Sequence, residues 1–382
     1  MQMKQSLLRY KYYGSREYGW YYAEEICRYV GTQIKRWSPD ILVPVPMTCR
    51  KKRIRGFNQA EDLAEKIGEL LQIPVAAGLA VKKKETKSQR TEGIFMRLRA
   101  MAKINLGLDI LGKRDDGYHE VRMLMQTIQM YDLLDIRRKS SPGITLTTNL
   151  LYVPSDERNL VYKAAKLLMD EFDIQEGISM KLTKSIPVAA GMAGGSSDAA
   201  AAFVGVNKMF HLGLSEQELM ERAVQIGADV PYCIMRGTAL AEGIGEKLTR
   251  LPQLPKCYIL VGKPAVNVST KLAYENLDLQ NMGAHPDIDG MISDIENGDL
   301  YTMVSRMGNV FEPGIIGKYP VIQEIKDLME AHGALKAMMS GSGPTVFGIF
   351  DDKNKMKAAA RVLQSSHLAK TVFATEVFNR KD

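Results

Sequence analysis

Beyond residue 95, stretches with the two-residue period of a strand alternate with longer stretches that have a helical period. The predicted strands span residues 96–111, 144–148 and 178–183. The predicted helices span residues 159–171, 197–210 and 215–226, and the last begins with a capping box of Ser215 and Glu218. This alternation indicates a sheet that is covered by helices.

A short proline-containing segment, residues 252–256, separates this region from a second one with the same alternation. The second region has predicted strands at 257–262, 337–339, 345–350 and 371–376, and predicted helices near 321–332 and 353–364. Interleaved strands and helices of this kind are typical of mixed α/β (α+β) proteins. We therefore expect two lobes, residues 96–255 and residues 256–382.

Residues 1–95 have a different charge from the rest of the chain. They carry 18 Lys and Arg against 10 Asp and Glu, whereas residues 96–382 carry 33 against 34, so the net charge of +7 comes from the first quarter. The lysine-rich segment 82–93 has no apolar period and is typical of a linker. We expect a domain boundary at about residue 95, with Met96 as a candidate start codon and residues 1–95 as an appended segment.

Composition excludes several classes of protein. The chain is 45% hydrophobic and 25% charged, as in folded globular proteins. It has neither the roughly 18 consecutive apolar residues of a membrane-spanning helix nor the apolar block of a signal peptide. Its four cysteines form no CxxC pair. These features predict a reduced protein of the cytoplasm, without a membrane partner.

The strongest chemical signal is the segment from Pro187 to Ala200, in which three glycines and two serines lie between a strand and an alanine-rich helix. Small residues allow a close approach of the backbone to an anion, and the free N–H groups at the start of the next helix can hold phosphate. The segment has neither the Gly-Lys-Ser ending of a P-loop nor a strict GxGxxG. The alternative is a glycine-rich turn before a tightly packed helix.

Several other polar residues indicate a functional role only when they are considered together. Lys103 lies in an apolar strand with Asn105 on the same face. Asp229 precedes Val-Pro after a helix, and His119 follows Gly-Tyr in a predicted loop. Each one alone also fits a structural role: a strand edge, a turn, or a packed histidine. The loop of residues 340–344 is either a plain turn or a second anion-facing nest.

The order of these motifs resembles that of the GHMP kinase superfamily. The motifs are Ala102-Lys-Ile-Asn-Leu106, Asp116-Gly-Tyr-His119, the glycine-rich segment, Gly227-Ala-Asp-Val-Pro231 and Ser340-Gly-Ser-Gly-Pro344. The resemblance covers residues 96–382 and implies the two-lobed fold of that superfamily. The Asp-Gly-Tyr-His motif indicates its branch that acts on a cytidine-containing substrate. Ala193 stands where the glycine-rich segment often carries glycine, and we expect this to change the backbone dihedral angles only slightly.

The resemblance also implies a reaction, the transfer of the γ-phosphoryl group of ATP to a substrate hydroxyl with Mg²⁺ bridging the phosphates. Asp229 would accept the hydroxyl proton, and Lys103 would keep this aspartate ionised and favour the developing alkoxide. No metal-ligating residue is predicted. The implied ATP-binding residues are Pro187, Val188, Ala189, Ala190, Gly191, Met192, Ala193, Gly194, Gly195, Ser196 and Ser197.

Four further residues are implied to bind the substrate. Asn105 would position its polyol, Tyr118 would stack on the cytosine ring, and His119 would form a hydrogen bond with the edge of that ring. Tyr274 would supply a second aromatic ring on the other side of the base. The expected partners are thus ATP and a cytidine diphosphate-linked polyol, and a homodimer is compatible with the sequence.

Residues 5–92 resemble part of the ComF-type branch of the phosphoribosyltransferase-like fold. The resemblance rests on Val43-Pro-Val-Pro46 in a predicted strand at 40–46 and on Arg55-Gly-Phe-Asn-Gln-Ala-Glu61 before a predicted helix at 60–71. The paired acidic residues and the Thr-Thr-Gly turn of that fold do not precede Met96. We therefore expect a truncated and inert α/β fragment.

The alternatives for the whole chain are another GHMP small-molecule kinase and a nucleic-acid-associated protein led by residues 1–95, although nucleic-acid binding is the less favoured.

Overall fold

The computed structural model describes residues 10, 17–47, 57–77, 95–275, 277 and 285–380. The chain forms two compact units, residues 1–89 and residues 90–382. The lysine-rich segment 82–93 lies outside the described residues. The proposed domain limits at residues 95 and 255 stay predictions.

The described part of the first unit contains two helices, α1 (Glu17–Trp37) and α2 (Gln59–Leu71). The second is the predicted helix at 60–71, and the side chain of Asn58 caps it by accepting from the amide of Ala60. The predicted strand at 40–46 is wrong, because only Leu42 pairs, in an isolated parallel bridge with Val75. Pro44 and Pro46 lack the N–H groups that a strand needs for its ladder. Residues 48–56 of the basic motif lie outside the described residues.

The second unit contains two sheets. The first has seven strands, in the order β3-β4-β2-β1-β8, with β5 paired to β2 and β6 paired to β5. The second has four antiparallel strands, in the order β11-β7-β10-β9. The strands are β1 (Phe95–Lys113), β2 (His119–Lys139), β3 (Ile144–Thr148), β4 (Gly177–Thr183), β5 (Thr238–Glu242), β6 (Lys247–Arg250), β7 (Tyr258–Lys263), β8 (Gly308–Asn309), β9 (Lys336–Met339), β10 (Val346–Phe350) and β11 (Thr371–Glu376).

Helices pack against both sheets and confirm the predicted mixed α/β class. Asn159 caps α3, and the predicted capping box of Ser215 and Glu218 opens α5. The helices are α3 (Leu160–Glu171), α4 (Gly194–Phe210), α5 (Glu216–Ala223), α6 (Val230–Met235), α7 (Thr270–Glu275), α8 (Ile288–Glu296), α9 (Leu300–Arg306), α10 (Glu312–Lys318), α11 (Val321–Ala331) and α12 (Lys353–Ser365). None of the described helices has the length and apolar character needed to cross a membrane.

Two irregularities in β1 decide which way its polar side chains point. The pairing of β1 with β2 shifts register between Met101 and Lys103 and again between Asn105 and Gly107. Such bulges reverse the alternation of faces along a strand. Ala100 and Leu108 accordingly belong to the core beneath α3 and α4, whereas the even-numbered residues 102–106 belong to the core shared with the second sheet.

Candidate active site

A cavity of about 790 Å³ opens in the second unit between the glycine-rich segment and the loop of residues 340–343. Lys103 and Asp229, the two predicted catalytic residues, both line it. A pocket of this size accommodates a nucleotide-sized ligand. The structure therefore places Lys103, Asp229 and the glycine-rich segment around one cavity.

Lys103 and Asp229 face each other in this cavity. The Nζ atom of Lys103 lies 3.8 Å from the Oδ2 atom of Asp229 and donates a hydrogen bond of 2.6 Å to the Oδ1 atom of Asn105. Lys103 is 5% exposed and Asn105 is fully buried, while the Asp229 side chain is 32% exposed. Buried Asn105 fixes the lysine, and the accessible carboxylate of Asp229 remains free to meet a ligand.

Asp229 owes its position to a short helix that periodicity did not reveal. It is the residue before α6, whose six residues are all buried. Asp229 lies in a turn before a proline, as its sequence context indicates, and Pro231 lies in the first turn of α6, where its missing N–H costs nothing. The packed helix holds the aspartate rigidly at the cavity wall.

The glycine-rich segment is a shorter loop than predicted. Helix α4 begins at Gly194, not at Ser197, because Ala193 takes a left-handed conformation with φ of 52° and starts the helix there. Gly194, Gly195 and Ser196 thus form the first turn, and their N–H groups are among the unpaired donors of a helix start. A 17-residue helix with free amides at the cavity wall is suited to bind phosphate.

The loop before α4 packs against the loop of residues 340–343. The hydroxyl of Ser340 donates to the Gly191 carbonyl over 2.9 Å, and the amide of Lys103 donates to the Met192 carbonyl over 3.2 Å. Gly191 has a φ of 71°, and a Cβ atom there would overlap the Ser340 carbonyl oxygen. Glycine is therefore required at 191 by both dihedral angle and space.

Most of the predicted ATP-binding residues line the cavity, but two do not. Met192 is 1% exposed and belongs to the core shared with the second sheet. Ser197 is buried, and its hydroxyl donates to the Met101 carbonyl over 2.6 Å. The cavity-lining members are Pro187, Val188, Ala189, Ala190, Gly191, Ala193, Gly194, Gly195 and Ser196. Met192 and Ser197 hold the loop and α4 against β1.

Two of the predicted base-binding rings, His119 and Tyr274, form a cluster with Phe311 that differs from the expected arrangement. Tyr274 stacks on His119, with centroids 4.7 Å apart and planes at 28°, and meets Phe311 edge-on at 5.0 Å. Tyr118 is 60% exposed in the turn before β2. His119 itself is the first residue of β2, not part of a loop. A base stacked on this face of Tyr274 would take the place of the His119 ring.

Sequence reasoning missed a buried ion cluster under the loop. Lys184 bridges Asp132 and Asp198, at 2.7 Å from Oδ2 of the latter, and all three side chains are at most 4% exposed. Asp132 also accepts from the amide of Ile186 over 2.8 Å. Asp132 and Lys184 thus connect β2 to the entry of the loop, and Asp198 connects Lys184 to the first turn of α4. No spacing rule indicates that residues 132, 184 and 198 meet.

Burial shifts the proton affinities of several groups at the site. Burial raises the pKa of Asp198 well above its ordinary value, and the charge of Lys184 offsets this only in part. Burial opposes the charge of Lys184, but the two carboxylates outweigh it and raise its pKa. Burial, assisted by Lys113, lowers the pKa of His119, which favours the neutral imidazole at pH 7.

One carboxylate oxygen at the cavity fits a metal that is held chiefly by phosphates. The Oδ1 atom of Asp198 is buried and has no hydrogen-bond partner. Among the described residues no three His, Cys, Asp or Glu side chains converge as a metal cage. Mg²⁺ commonly takes one or two carboxylates together with substrate phosphates. Asp198, next to the phosphate-facing first turn of α4, is suited to that role.

Comparisons with known proteins agree with this geometry. Residues 159–237 match the GHMP kinases N terminal domain, and residues 291–370 match the GHMP kinases C terminal family. The 4-diphosphocytidyl-2-C-methyl-D-erythritol kinase of Lachnospira eligens is 56% identical over 283 residues, which cover 74% of this chain and 98% of that protein. The chain belongs to this kinase family.

Other relatives and solved structures extend the comparison. The family member of Lachnoclostridium phytofermentans is 52% identical over 285 residues, covering 75% of this chain and 98% of its own length. A crystal structure of 4-(cytidine 5'-diphospho)-2C-methyl-D-erythritol kinase matches with a TM-score of 0.65 and 29% identity, over 75% of this chain and all of that one. Homoserine kinase from Cytophaga hutchinsonii, at 19% identity and a TM-score of 0.62 over 78% of this chain and 96% of its own, shares the fold.

Proposed function

We propose that the protein transfers the γ-phosphoryl group of ATP to the 2-hydroxyl of 4-diphosphocytidyl-2-C-methyl-D-erythritol, a step of the non-mevalonate route to isoprenoid precursors. The names of its relatives support the substrate. The observation that carries the proposal is the Lys103–Asp229 pair at 3.8 Å, in the same cavity as the glycine-rich loop. A base and a phosphate-binding helix start in one cavity are the parts that phosphoryl transfer to an alcohol requires.

Asp229 accepts the proton of the attacking hydroxyl in this proposal. Its carboxylate is partly accessible, and it lies at the buried ammonium of Lys103. The positive charge stabilises negative charge that develops on the hydroxyl oxygen. Because Asn105 accepts a hydrogen bond from Lys103, the lysine stays aimed at the reacting groups.

The first turn of α4 holds the phosphates of ATP. Its free amides and the positive end of the helix dipole stabilise charge on the phosphoryl oxygens. Mg²⁺, when bound to ATP, supplies further neutralisation of these oxygens. Asp198 would hold the ion through its free oxygen, and Lys184 keeps Asp198 in place.

The aromatic cluster supplies the recognition of the cytosine. Tyr274 offers a ring whose stacking partner in the structure is His119, and His119 offers neutral ring nitrogens for hydrogen bonds. Tyr118, exposed in the neighbouring turn, supplies the second stacking surface in this proposal.

The decisive experiment is ADP release by the full-length protein with Mg-ATP and 4-diphosphocytidyl-2-C-methyl-D-erythritol, compared with Asp229→Asn. We expect kcat to fall by roughly 10²- to 10⁴-fold, because asparagine cannot accept the proton. Asparagine has nearly the same size as aspartate, so both substrates should still bind. Asp170→Asn is the matched control, since Asp170 is exposed and its salt bridge is to Lys166 in α3. Turnover of Asp229→Asn equal to that of the control would refute the role of Asp229, and a silent wild type would refute the substrate.

For the first unit we propose a truncated ComF-type fragment without transferase activity. Its described residues contain two helices and an isolated bridge, but no strand of a sheet. Absence of phosphoribosyl pyrophosphate binding by the full chain is the expected result. The homodimer and the cytoplasmic location likewise stay predictions.

A further inference from the structure

A second cavity, of about 690 Å³, lies in the kinase unit and shares no lining residue with the first. We call it the basic groove. It is formed by the start of β1, the end of α4, the first turns of α5, the end of α6 and the chain after β11. Its lining residues are Met96, Arg97, Leu98, Arg99, Val204, Asn207, Lys208, Leu214, Glu216, Leu219, Ile234, Arg236, Phe378 and Arg380.

The basic groove has five cationic side chains and one carboxylate, that of Glu216. Glu216 is shared by Arg250, at 2.6 Å, and Arg380. Arg97 is paired outside the groove with Asp135, at 2.7 Å. The negative charge near the groove is therefore already neutralised by arginines.

Three of these five cationic side chains, Arg99, Lys208 and Arg236, form no salt bridge with any residue that the structure describes. Arg99 and Lys208 are exposed, and Arg236 is half-buried. The guanidinium of Arg99 lies over the ring of Tyr131, with its central carbon 4.7 Å from the centroid. The Nη2 atom of Arg236 donates to the Arg99 carbonyl over 2.9 Å. Desolvation by burial lowers the pKa of Arg236, yet an arginine remains charged at pH 7. A half-buried cation without an anion is costly unless a ligand supplies one.

The groove also has apolar lining. Leu98, Val204, Leu214, Leu219 and Phe378 are half-buried or buried side chains that line it, and we call them the apolar wall. Phosphate ligands are recognised by arginine forks, and short hydrocarbon groups by such apolar walls. A ligand with a phosphate-containing head and a small apolar tail can contact both sets of side chains.

From this arrangement we propose that the basic groove binds a short alkyl diphosphate, with its head on Arg99, Lys208 and Arg236 and its tail on the apolar wall. The proposal does not depend on the kinase function. A volume of about 690 Å³ is within the range of small-molecule pockets, so a small ligand is favoured over an extended nucleic acid.

The test is calorimetric titration of the full-length protein with 3-methylbutyl diphosphate while a non-hydrolysable ATP analogue fills the active site. We expect saturable binding of one ligand per chain, and weaker binding of inorganic pyrophosphate, which lacks the tail. Arg236→Gln is expected to weaken binding roughly 10- to 100-fold, because a charge-assisted hydrogen bond is lost. Arg236→Lys keeps the charge and is expected to lose less.

Arg361→Gln is the matched control, since Arg361 is an exposed arginine of α12 outside the groove. We expect it to bind the probe as the wild type does. Unchanged thermal unfolding and unchanged kcat of Arg236→Gln would show that the variant is folded. No saturable binding to the wild type, equal binding by Arg236→Gln, or binding of an oligonucleotide without the small probe would each overturn the proposal.

Discussion

Asp198 is the residue whose environment differs most from that of an ordinary surface carboxylate. It shares the ammonium of Lys184 with Asp132, and its second oxygen is buried without a partner. Two carboxylates and one lysine in a buried space favour the presence of one extra proton. The raised pKa of Asp198 expresses this preference.

We predict that Asp198→Asn changes how the free energy of unfolding depends on pH. A raised pKa in the folded state gives a stabilising contribution that is complete below the ordinary aspartate pKa, about 4, and is lost as the pH rises through the folded value. Asparagine cannot ionise, so the free energy of unfolding of the wild type should fall relative to that of Asp198→Asn as the pH rises above about 4. Urea unfolding followed by circular dichroism at several pH values measures this difference. A parallel pH dependence of the two proteins would contradict it, and the exposed Asp170→Asn serves as the control.

We also predict that Tyr274→Leu weakens the binding of the cytidine substrate. Stacking of a base on an aromatic ring contributes about 1–3 kcal/mol, so KM for the cytidine substrate should rise roughly 5- to 100-fold. KM for ATP should stay within about twofold, because in the proposed function the first turn of α4, not Tyr274, holds the phosphates. Steady-state kinetics with each substrate varied in turn measure the two KM values separately. An equal rise of both KM values would point to a distorted cavity instead of a lost stacking surface.

At the scale of elements, the loop before α4 combines backbone strain with close packing. Ala189, Gly191 and Ala193 all have positive φ values of 51°, 71° and 52°. Alanine in this region costs about 1–2 kcal/mol per residue relative to its preferred conformations. The contact with the loop of residues 340–343, together with the bond from Lys103 to Met192, keeps the strained loop in place. The strain is located where the loop lines the active-site cavity, which is the proposed phosphate site.

We therefore predict that Gly191→Ala lowers stability more than Gly213→Ala and raises KM for ATP. Both glycines have positive φ, 71° and 78°, but a Cβ atom at Gly213 meets nothing within 4 Å. The control should lose about 1 kcal/mol from the dihedral angle alone. At Gly191 the overlap with the Ser340 carbonyl adds to this loss and moves the loop. Chemical unfolding and ATP kinetics of both variants provide the comparison, and equal losses would show that the packing contact is unimportant.

Elements with a clear period were predictable because each carries its own signal. The strands at 144–148 and 371–376 have the predicted limits, and α5 begins at its predicted capping box. Helix α3 begins one residue after the predicted start at 159, because Asn159 is its cap. The 21-residue strand β2 and the short helix α6 were not predicted. Long strand β2 pairs with β1, β4 and β5, so its limits depend on its neighbours more than on its own residues.

At the scale of the whole molecule, the two units differ in how much core they form. Among the described residues of the first unit, the buried apolar side chains are Tyr10, Ala23 and Phe57, whereas the second unit contains two extensive cores. Since stability grows with buried apolar area, most of the stability of the protein resides in residues 90–382.

Limited proteolysis tests this division. The segment 82–93 contains four lysines and one arginine without an apolar period, so trypsin should cut there before it cuts within either sheet. We expect a stable fragment that begins between residues 83 and 91, identified by mass spectrometry, with the ADP-forming activity of the intact chain. Early cleavage between residues 95 and 275, or loss of activity together with the first unit, would contradict the prediction.

The fold class, the order of most elements and the main residues of the active-site cavity follow from the sequence alone. Lys103, Asp229 and the glycine-rich segment could be selected because local composition and the family resemblance mark them without knowledge of distant contacts. The start of α4 depends on the folded chain, since the left-handed Ala193 and the opposing Ser340 loop fix that point. The tertiary structure also decided which side of β1 carries Lys103, because two bulges, set by pairing with β2, reverse the faces of the strand. The buried ion cluster of Lys184, Asp132 and Asp198 was not predictable for the same reason. Burial and contacts between residues distant in sequence are properties of the folded chain alone.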